Sequence, residues 1–322
     1  MQAFDLIHPT DAAAAIAAAG EGRKYIAGGT DLIQLMKEYV ETPRTLIDLD
    51  GLPLAAIAAD GSGLRLGALA RMRDVAAHPV VLSDYPVIAE ALLATASPQV
   101  RNMGTIGGNL LQRTRCPYFR DLGFPCNKRD PDSGCSATPG QNRTLAILGG
   151  SGSCIATHPS DMAVALAVLD AVVVLQGPGG VRRVPLADFY LLPEDTPWRE
   201  TVLTPGELVT AVEVPAALWT RQSHYLKLRD RASFAFALVS AAVALDVRDG
   251  VIRTARVALG GVAPKPWRAA ATEAALVGQP AEPGAFARAA ALAAEGAEPA
   301  SRNGFKVRLA QVAVARALTG LV

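Results

Sequence analysis

The sequence predicts an α+β fold in two parts: a longer N-terminal region and a separate α+β unit from about residue 216. Three observations predict it. Short strand-like and helical runs alternate over residues 4–97. A proline-punctuated stretch, from Gly177-Pro178 to Pro215, then separates two textures. Beyond it, long apolar runs turn at Asp249-Gly250 and lead into Ala-rich helical segments.

The 322 residues are half apolar, which allows two or three domains without disulfide staples. Net charge is +1, and no block of like charge occurs. That argues against nucleic-acid or membrane-surface partners, which need a basic face. No uncharged apolar run reaches the ~20 residues that span a bilayer, so no membrane insertion is expected. The start, MQAFDLIHPTD, has an early acid and no basic leader. Export would therefore depend on a partner.

Thr10 or Asp11 can cap an Ala-rich helix that Gly20 can end. Lys24-Tyr25-Ile26-Ala27 then reads as a strand broken at Gly28-Gly29, followed by helical spacing from Leu32 to Val40. A strand–Gly-Gly–helix turn aims free amides and a helix dipole at one point, as a phosphate requires. The pattern is neither G-x-G-x-x-G nor a Walker loop, and an ordinary βα turn has the same glycines. Thr45–Leu49 and Leu64–Ala68 read as strands, the second after the turn Asp60-Gly61-Ser62-Gly63. Residues 71–97 read as two helical pieces with breaks near His78-Pro79 and Tyr85-Pro86.

Leu145–Leu148 and Cys154–Ala156 flank a Gly149-Gly150-Ser151-Gly152 turn, with a helix over 161–169 and a buried strand over Ala171–Leu175. The prolines from 178 to 215 are expected to mark an extended crossing between domains. Tyr225–Leu228 and Phe234–Val247 read as strands, the second joined to Val251–Leu259 by a hairpin. Helices are expected near 268–277, 283–295 and 305–319.

All four cysteines, Cys116, Cys126, Cys135 and Cys154, lie between two Gly- or Pro-rich turns. The gaps are nine, eight and eighteen residues, without the paired knuckles of structural zinc. Clustering in a loop-rich stretch beside Arg115, Arg120, Lys128 and Arg129 favours thiolates and a four-thiolate iron–sulfur cluster. Buried free thiols and zinc remain open on spacing alone. No catalytic Ser/His/Asp set, H-E-x-x-H or paired carboxylates stand out, and His158 reads as a satisfied polar residue.

Taken together, these motifs resemble the FAD-binding medium subunit of the molybdenum hydroxylases, the xanthine dehydrogenase/aldehyde oxidoreductase group. Ala27-Gly28-Gly29-Thr30-Asp31-Leu32 is similar to the family's first FAD loop. Arg101 to Asn109, through Asn102, Met103, Gly104, Thr105, Ile106, Gly107 and Gly108, is similar to its second. Ser160-Asp161 resembles the acidic turn near the nucleotide, and residues 218–320, with Tyr225-Leu226-Lys227-Leu228, resemble the C-terminal domain. Cys116-Pro117-Tyr118-Phe119-Arg120, Pro125–Arg129 and Ser133-Gly134-Cys135 resemble the periplasmic bacterial aldehyde oxidoreductase branch, which carries an additional [4Fe–4S] cluster. The hydroxybenzoyl-CoA reductase branch also has an extra cluster, on a less similar insert.

The resemblance implies an FAD-binding domain of the PCMH/vanillyl-alcohol-oxidase type in two subdomains, 1–55 and 56–215, with the iron–sulfur insert at about 112–156. It implies a CO dehydrogenase flavoprotein C-terminal domain at 216–322. FAD would be held by Tyr25, Ile26, Ala27, Gly28, Gly29, Thr30, Asp31, Leu32, Asn102, Met103, Gly104, Thr105, Gly107, Gly108, Asn109, Ser160, Asp161 and Lys227. On the residues themselves, both Gly-rich turns can offer amides to one pyrophosphate, Thr30 and Asn109 can add side-chain donors, and Asp161 can accept from ribose or adenine. The chain would be an electron-transfer subunit of a heterotrimer, with no catalytic residue of its own. A large molybdenum-cofactor subunit would oxidise the aldehyde, and a small subunit with two [2Fe–2S] clusters would relay electrons to FAD and on to a terminal acceptor. A hydroxybenzoyl-CoA reductase-like or xanthine dehydrogenase-like complex, a free-standing flavin oxidase and a zinc-holding docking scaffold are the alternatives. The compartment is expected to be the periplasm by co-export with a partner, or the cytoplasm.

Overall fold

The computed structural model describes residues 1–322, with every side chain except that of Leu218. Three sheets organise it. The first is parallel and three-stranded, with Thr45–Asp48 between Asp5–Ile7 and Arg23–Ile26. Asp11 caps the helix Ala12–Ala17 between its outer strands, accepting from the Ala14 amide at 2.8 Å. Arg23–Ile26 runs through Gly28-Gly29 into the helix Leu32–Lys37, as the apolar spacing predicts.

The second sheet is antiparallel, in the order Ile57–Asp60, Gly63–Gly67, Leu208–Pro215, Val172–Gly177, Gly180–Pro185. Two of these strands come from the Pro-rich stretch, which corrects the expectation of an extended crossing. Its prolines 185 and 215 end strands, where the missing N–H is tolerated. The connecting turn is ordered by Val184, Leu186, Phe189 and Tyr190, all buried. Ile57–Asp60 is a further strand that the sequence reading omitted; its Ala58 and Ala59 are exposed and give no apolar alternation.

Residues 71–97 form three helices rather than two: Met72–Ala76, Pro79–Asp84 and Pro86–Ala94. Both prolines sit at first helical positions, where they start a new helix after breaking the old one. The helix Asp161–Val168 has all eight residues buried. A helix apolar on every side belongs in the interior. It packs against Pro86–Ala94 and against strands of the third sheet.

That third sheet is antiparallel: Trp267–Arg268, Val251–Gly260, Val239–Arg248 and Ser223–Leu228. Asp249 and Gly250 both take positive φ, 52° and 73°, the geometry of a tight hairpin that twists with its strands. The expected strand from Phe234 begins only at Val239. Residues 229–238 form a loop in which Phe234 (φ 48°) and Phe236 are exposed. Helices Ala270–Leu276, Pro283–Ala290 and Phe305–Thr319 cover one face of this sheet.

The stretch 111–160 contains one regular element, Pro117–Arg120. Cys126 and Cys135 pair as an isolated antiparallel bridge, as do Ser151 and Cys154. No helix among the described residues is long and apolar enough to cross a membrane.

Candidate functional site

The two Gly-rich turns meet. A Cβ on Gly28 would lie 1.9 Å from the carbonyl oxygen of Met103, so only glycine permits this approach. Gly29 follows with φ +66°. Thr105 caps the short helix Ile106–Leu110 by accepting from the Gly108 amide, and Gly107 packs against Ala68.

Two cavities open on either side of this junction. One, of about 750 Å³, lies between the first sheet and the turn Leu203–Val209. Its walls include Tyr25 through Leu32 together with Thr105, Gly107 and Gly108. The other, of about 600 Å³, runs toward the C-terminal unit and is lined by Gly104, Asn109, Ser160, Asp161 and Lys227 among others. Thr30, Asp31, Gly108 and Gln112 line both. A single long ligand bent at the glycine junction therefore fits the two arms.

The site gathers most of the expected residues but assigns several other tasks. Asn102 lines neither arm and faces a separate shallow depression. Met103 contributes its carbonyl, which also accepts from Arg71, while its side chain is exposed. Asn109 is buried; its Oδ1 accepts from Ser160 at 2.5 Å and its Nδ2 faces the Met72 sulfur. Ser160 in turn caps the helix Asp161–Val168.

Asp161 does not await a ribose or an adenine. Its carboxylate accepts from Tyr225 at 2.5 Å and Thr95 at 2.9 Å, and pairs with Lys227 at 2.7 Å. Lys227 also donates to the carbonyl of Ala94. Both charges are almost wholly buried, so the pair compensates two desolvated groups at the cavity wall. Burial, reinforced by Asp161, pushes the Tyr225 phenol well above its ordinary value and keeps it a donor. The sequence reading placed Tyr225 only in a strand of the C-terminal unit and did not name Thr95, because only the folded chain brings residues 95, 161 and 225 together.

Asp31 is likewise engaged. It accepts from the Arg113 amide and from Arg120, each at 2.7 Å, and pairs with Arg115 at 3.0 Å. Arg113 also reaches Glu41 and Glu200, and Glu200 holds Lys128. His158 lines the second arm with its ring against Tyr190 at 4.5 Å. Burial lowers its pKa to about 4, so it is neutral at physiological pH and does not serve there as a proton-charged group.

All four cysteines line one small cavity, walled also by Phe119 and Lys128. Cys116, Cys126 and Cys154 are buried and Cys135 is partly so. The expectation that neighbouring cations favour thiolates needs correcting. Burial pushes the Cys116 thiol up to about 11 and raises that of Cys154. The basic side chains are bound elsewhere: Arg115 and Arg120 by Asp31, and Arg129 by the carbonyls of Tyr118 and Phe119. Lys128 alone lowers Cys154, against the larger effect of burial. Among the described residues no three His, Cys, Asp or Glu groups stand close enough for a single metal ion. Four thiols and no carboxylate line the cavity.

The family model described as FAD binding domain in molybdopterin dehydrogenase matches residues 2–217. That of the CO dehydrogenase flavoprotein C-terminal domain matches residues 224–321. The chain is 53% identical over 299 residues to the aldehyde oxidoreductase FAD-binding subunit PaoB of Escherichia coli (strain K12), covering 92% of this chain and 91% of that one. It is 29% identical to the carbon monoxide dehydrogenase medium chain of Afipia carboxidovorans, covering 98% and 95%. Among solved structures, a Cu,Mo-CO dehydrogenase in its cyanide-inactivated form superposes with a TM-score of 0.76 at 28% identity, covering 99% of this chain and 97% of that one.

Proposed function

This chain belongs to the family of FAD-binding domains in molybdopterin dehydrogenases, and from that premise we propose that it is the electron-transferring flavin subunit of an aldehyde-oxidising molybdenum enzyme. The observation that carries the reading is the contact of Gly28 with the Met103 carbonyl, which makes one ligand-sized junction of two cavities. In this reading the pyrophosphate lies at that junction, against the Gly28-Gly29 turn and beside Gly108, whose own amide is held by Thr105. The apolar slot of Tyr25, Ile47, Leu49 and Leu208 takes the adenine end. The arm walled by Asp161, Lys227 and His158 takes the flavin ring. The residues 1–55, 56–215 and 216–322 are the three units that enclose it.

FAD supplies one- and two-electron transfer when bound. The chain's own residues bind, orient and shield it. The Asp161–Lys227 pair fixes a charge distribution at the cavity wall, and Tyr225 and Thr95 hold that carboxylate in place. Neutral His158 adds bulk without charge. The four cysteines are assigned to a [4Fe–4S] cluster, supported by their shared cavity and by the donor set. Loading it would release the thiol protons that burial retains.

The substrate class rests on the 53% identity to an aldehyde oxidoreductase subunit. The proposed partners are a large molybdenum-cofactor subunit and a small [2Fe–2S] subunit. The proposed compartment is the periplasm, reached with a partner. Stopped-flow mixing of an aldehyde with the assembled complex should bleach the flavin band, and the isolated chain should show no bleaching. Bleaching of the isolated chain would make it a free-standing flavin oxidase and end the subunit reading.

A further inference from the structure

We propose that the cysteine insert sets the flavin affinity of the chain by neutralising Asp31, with Arg120 as a positioning residue. This rests on the reading that FAD bridges the two cavities. Asp31 directly follows the Gly28-Gly29-Thr30 turn and lines both arms. It occupies the N-cap position of the helix Leu32–Lys37 yet makes no capping bond. Its carboxylate turns instead to the insert, and its donors all come from residues 113–120: the Arg113 amide, Arg115 and Arg120.

The side chain of Asp31 is only 15% exposed. A buried carboxylate stripped of counter-charge is costly, and it repels a second anion brought alongside. A diphosphate at the glycine junction is such an anion. With the arginines in place the local charge at the turn is compensated, and a diphosphate meets no net repulsion there. Losing Arg120 leaves Arg115 and the Arg113 amide to hold Asp31, and the turn then presents a less compensated negative charge to it.

Arg120 is the informative member. It lines neither cavity, so it cannot contact a ligand held there. Its guanidinium is 13% exposed, donates to the Thr114 carbonyl and to Asp31, and stands 3.7 Å from Glu38. Any effect it has on FAD must pass through Asp31 and the shape of the insert. By linkage, FAD bound at the turn strengthens the insert's hold to the same degree.

FAD is removed from the assembled complex, and its return is followed by quenching of free-flavin fluorescence. Arg120→Gln should weaken FAD binding about tenfold, within the usual range of such couplings. Adding Asp31→Asn to that variant should restore most of the affinity, since the uncompensated charge is gone. A purely structural role for Arg120 predicts no such rescue. Should Arg120→Gln fail to fold, Arg120→Lys keeps the charge at shorter reach and should show a smaller loss with the same rescue. Wild-type affinity in the folded Arg120 variants, or a loss that Asp31→Asn leaves unrepaired, overturns the proposal. A wild-type complex that binds no FAD at all would instead overturn the flavin reading beneath it.

Discussion

The cysteine insert and the C-terminal unit approach the same cavity arm but are held by different forces. In the C-terminal unit, Val239–Arg248 packs beneath Phe305–Thr319 and Val251–Gly260 beneath Ala270–Leu276, and Phe286, Leu276, Val257, Val314 and Leu318 are fully buried. In the insert, Phe119, Ala137 and Leu145 gather around the cysteines in a small cluster. The rest is held by side chains bonded to backbone. Arg129 reaches the carbonyls of Tyr118 and Phe119, Asn127 bridges Gly134 and Ser153, and Lys128 reaches Pro197. Apolar area stabilises the first region, whereas charge and hydrogen bonds stabilise the second.

The two regions are joined by polar groups from the C-terminal helix. Lys306 is wholly buried and donates to the carbonyls of Thr144, Leu145 and Gly261 at 3.0, 2.8 and 2.6 Å. Asn303 donates to Leu145 and Ala146, and Asn142 reaches back to Ser301 and Arg302.

Several substitutions can break the contrast. The largest loss is expected from Phe286→Ala, which empties the apolar core at a cost of about 3–5 kcal/mol, read by denaturant unfolding. The insert's ligands should be unaffected until that unit unfolds. Lys306→Met severs the joint and leaves three carbonyls without their donor, that of Leu145 buried, costing about 3 kcal/mol. It should also quicken proteolysis within 111–160, whereas Phe286→Ala below its unfolding midpoint should not. Asn142→Ala, which removes one bridge of the same joint, should cost about 1–2 kcal/mol in the same measurement.

A pH dependence tests the same joint. Burial, with Arg143 nearby, lowers the Lys306 pKa from 10.5 to about 7. Between those values the unfolded chain binds more protons than the folded one, so this group's contribution to stability rises with pH from about 7 toward 10.5. Comparing wild type with Lys306→Met at pH 7 and pH 9.5 isolates it. A difference independent of pH would place the Lys306 pKa outside that window.

What the sequence made legible follows the same division. Local signals were sufficient where structure is local: Asp11 as a cap, Gly28-Gly29 and Gly107-Gly108 as turns, Pro79 and Pro86 as helix starts, Asp249-Gly250 as a hairpin. The joining of the four cysteines was legible as a cluster in sequence, and they do share one cavity. Partners far apart in the chain were hidden. Asp161 reads as an acceptor for a ligand until Tyr225 and Lys227 are seen to occupy it. Asp31 reads as part of a glycine turn until the arginines of the insert close on it. The prolines of 178–215 read as a crossing because Leu208–Pro215 finds one of its partners more than a hundred positions away, as Val212 does with Leu66, while Gly180–Pro185 forms a hairpin with Val172–Gly177 that the prolines masked. Phe234 and Phe236 read as strand because apolar composition does not distinguish a buried strand from an exposed loop.

The proposed function requires one flavin at the glycine junction and one iron cluster in the cysteine cavity. The direct test is flavin and metal content of the chain purified with its partners, with each Cys→Ser variant beside it. Relative to a complex carrying Cys126→Ser, the wild type should hold one FAD per chain and about four additional iron atoms. Equal iron in wild type and variant, zinc in place of iron, or a chain without flavin would contradict it.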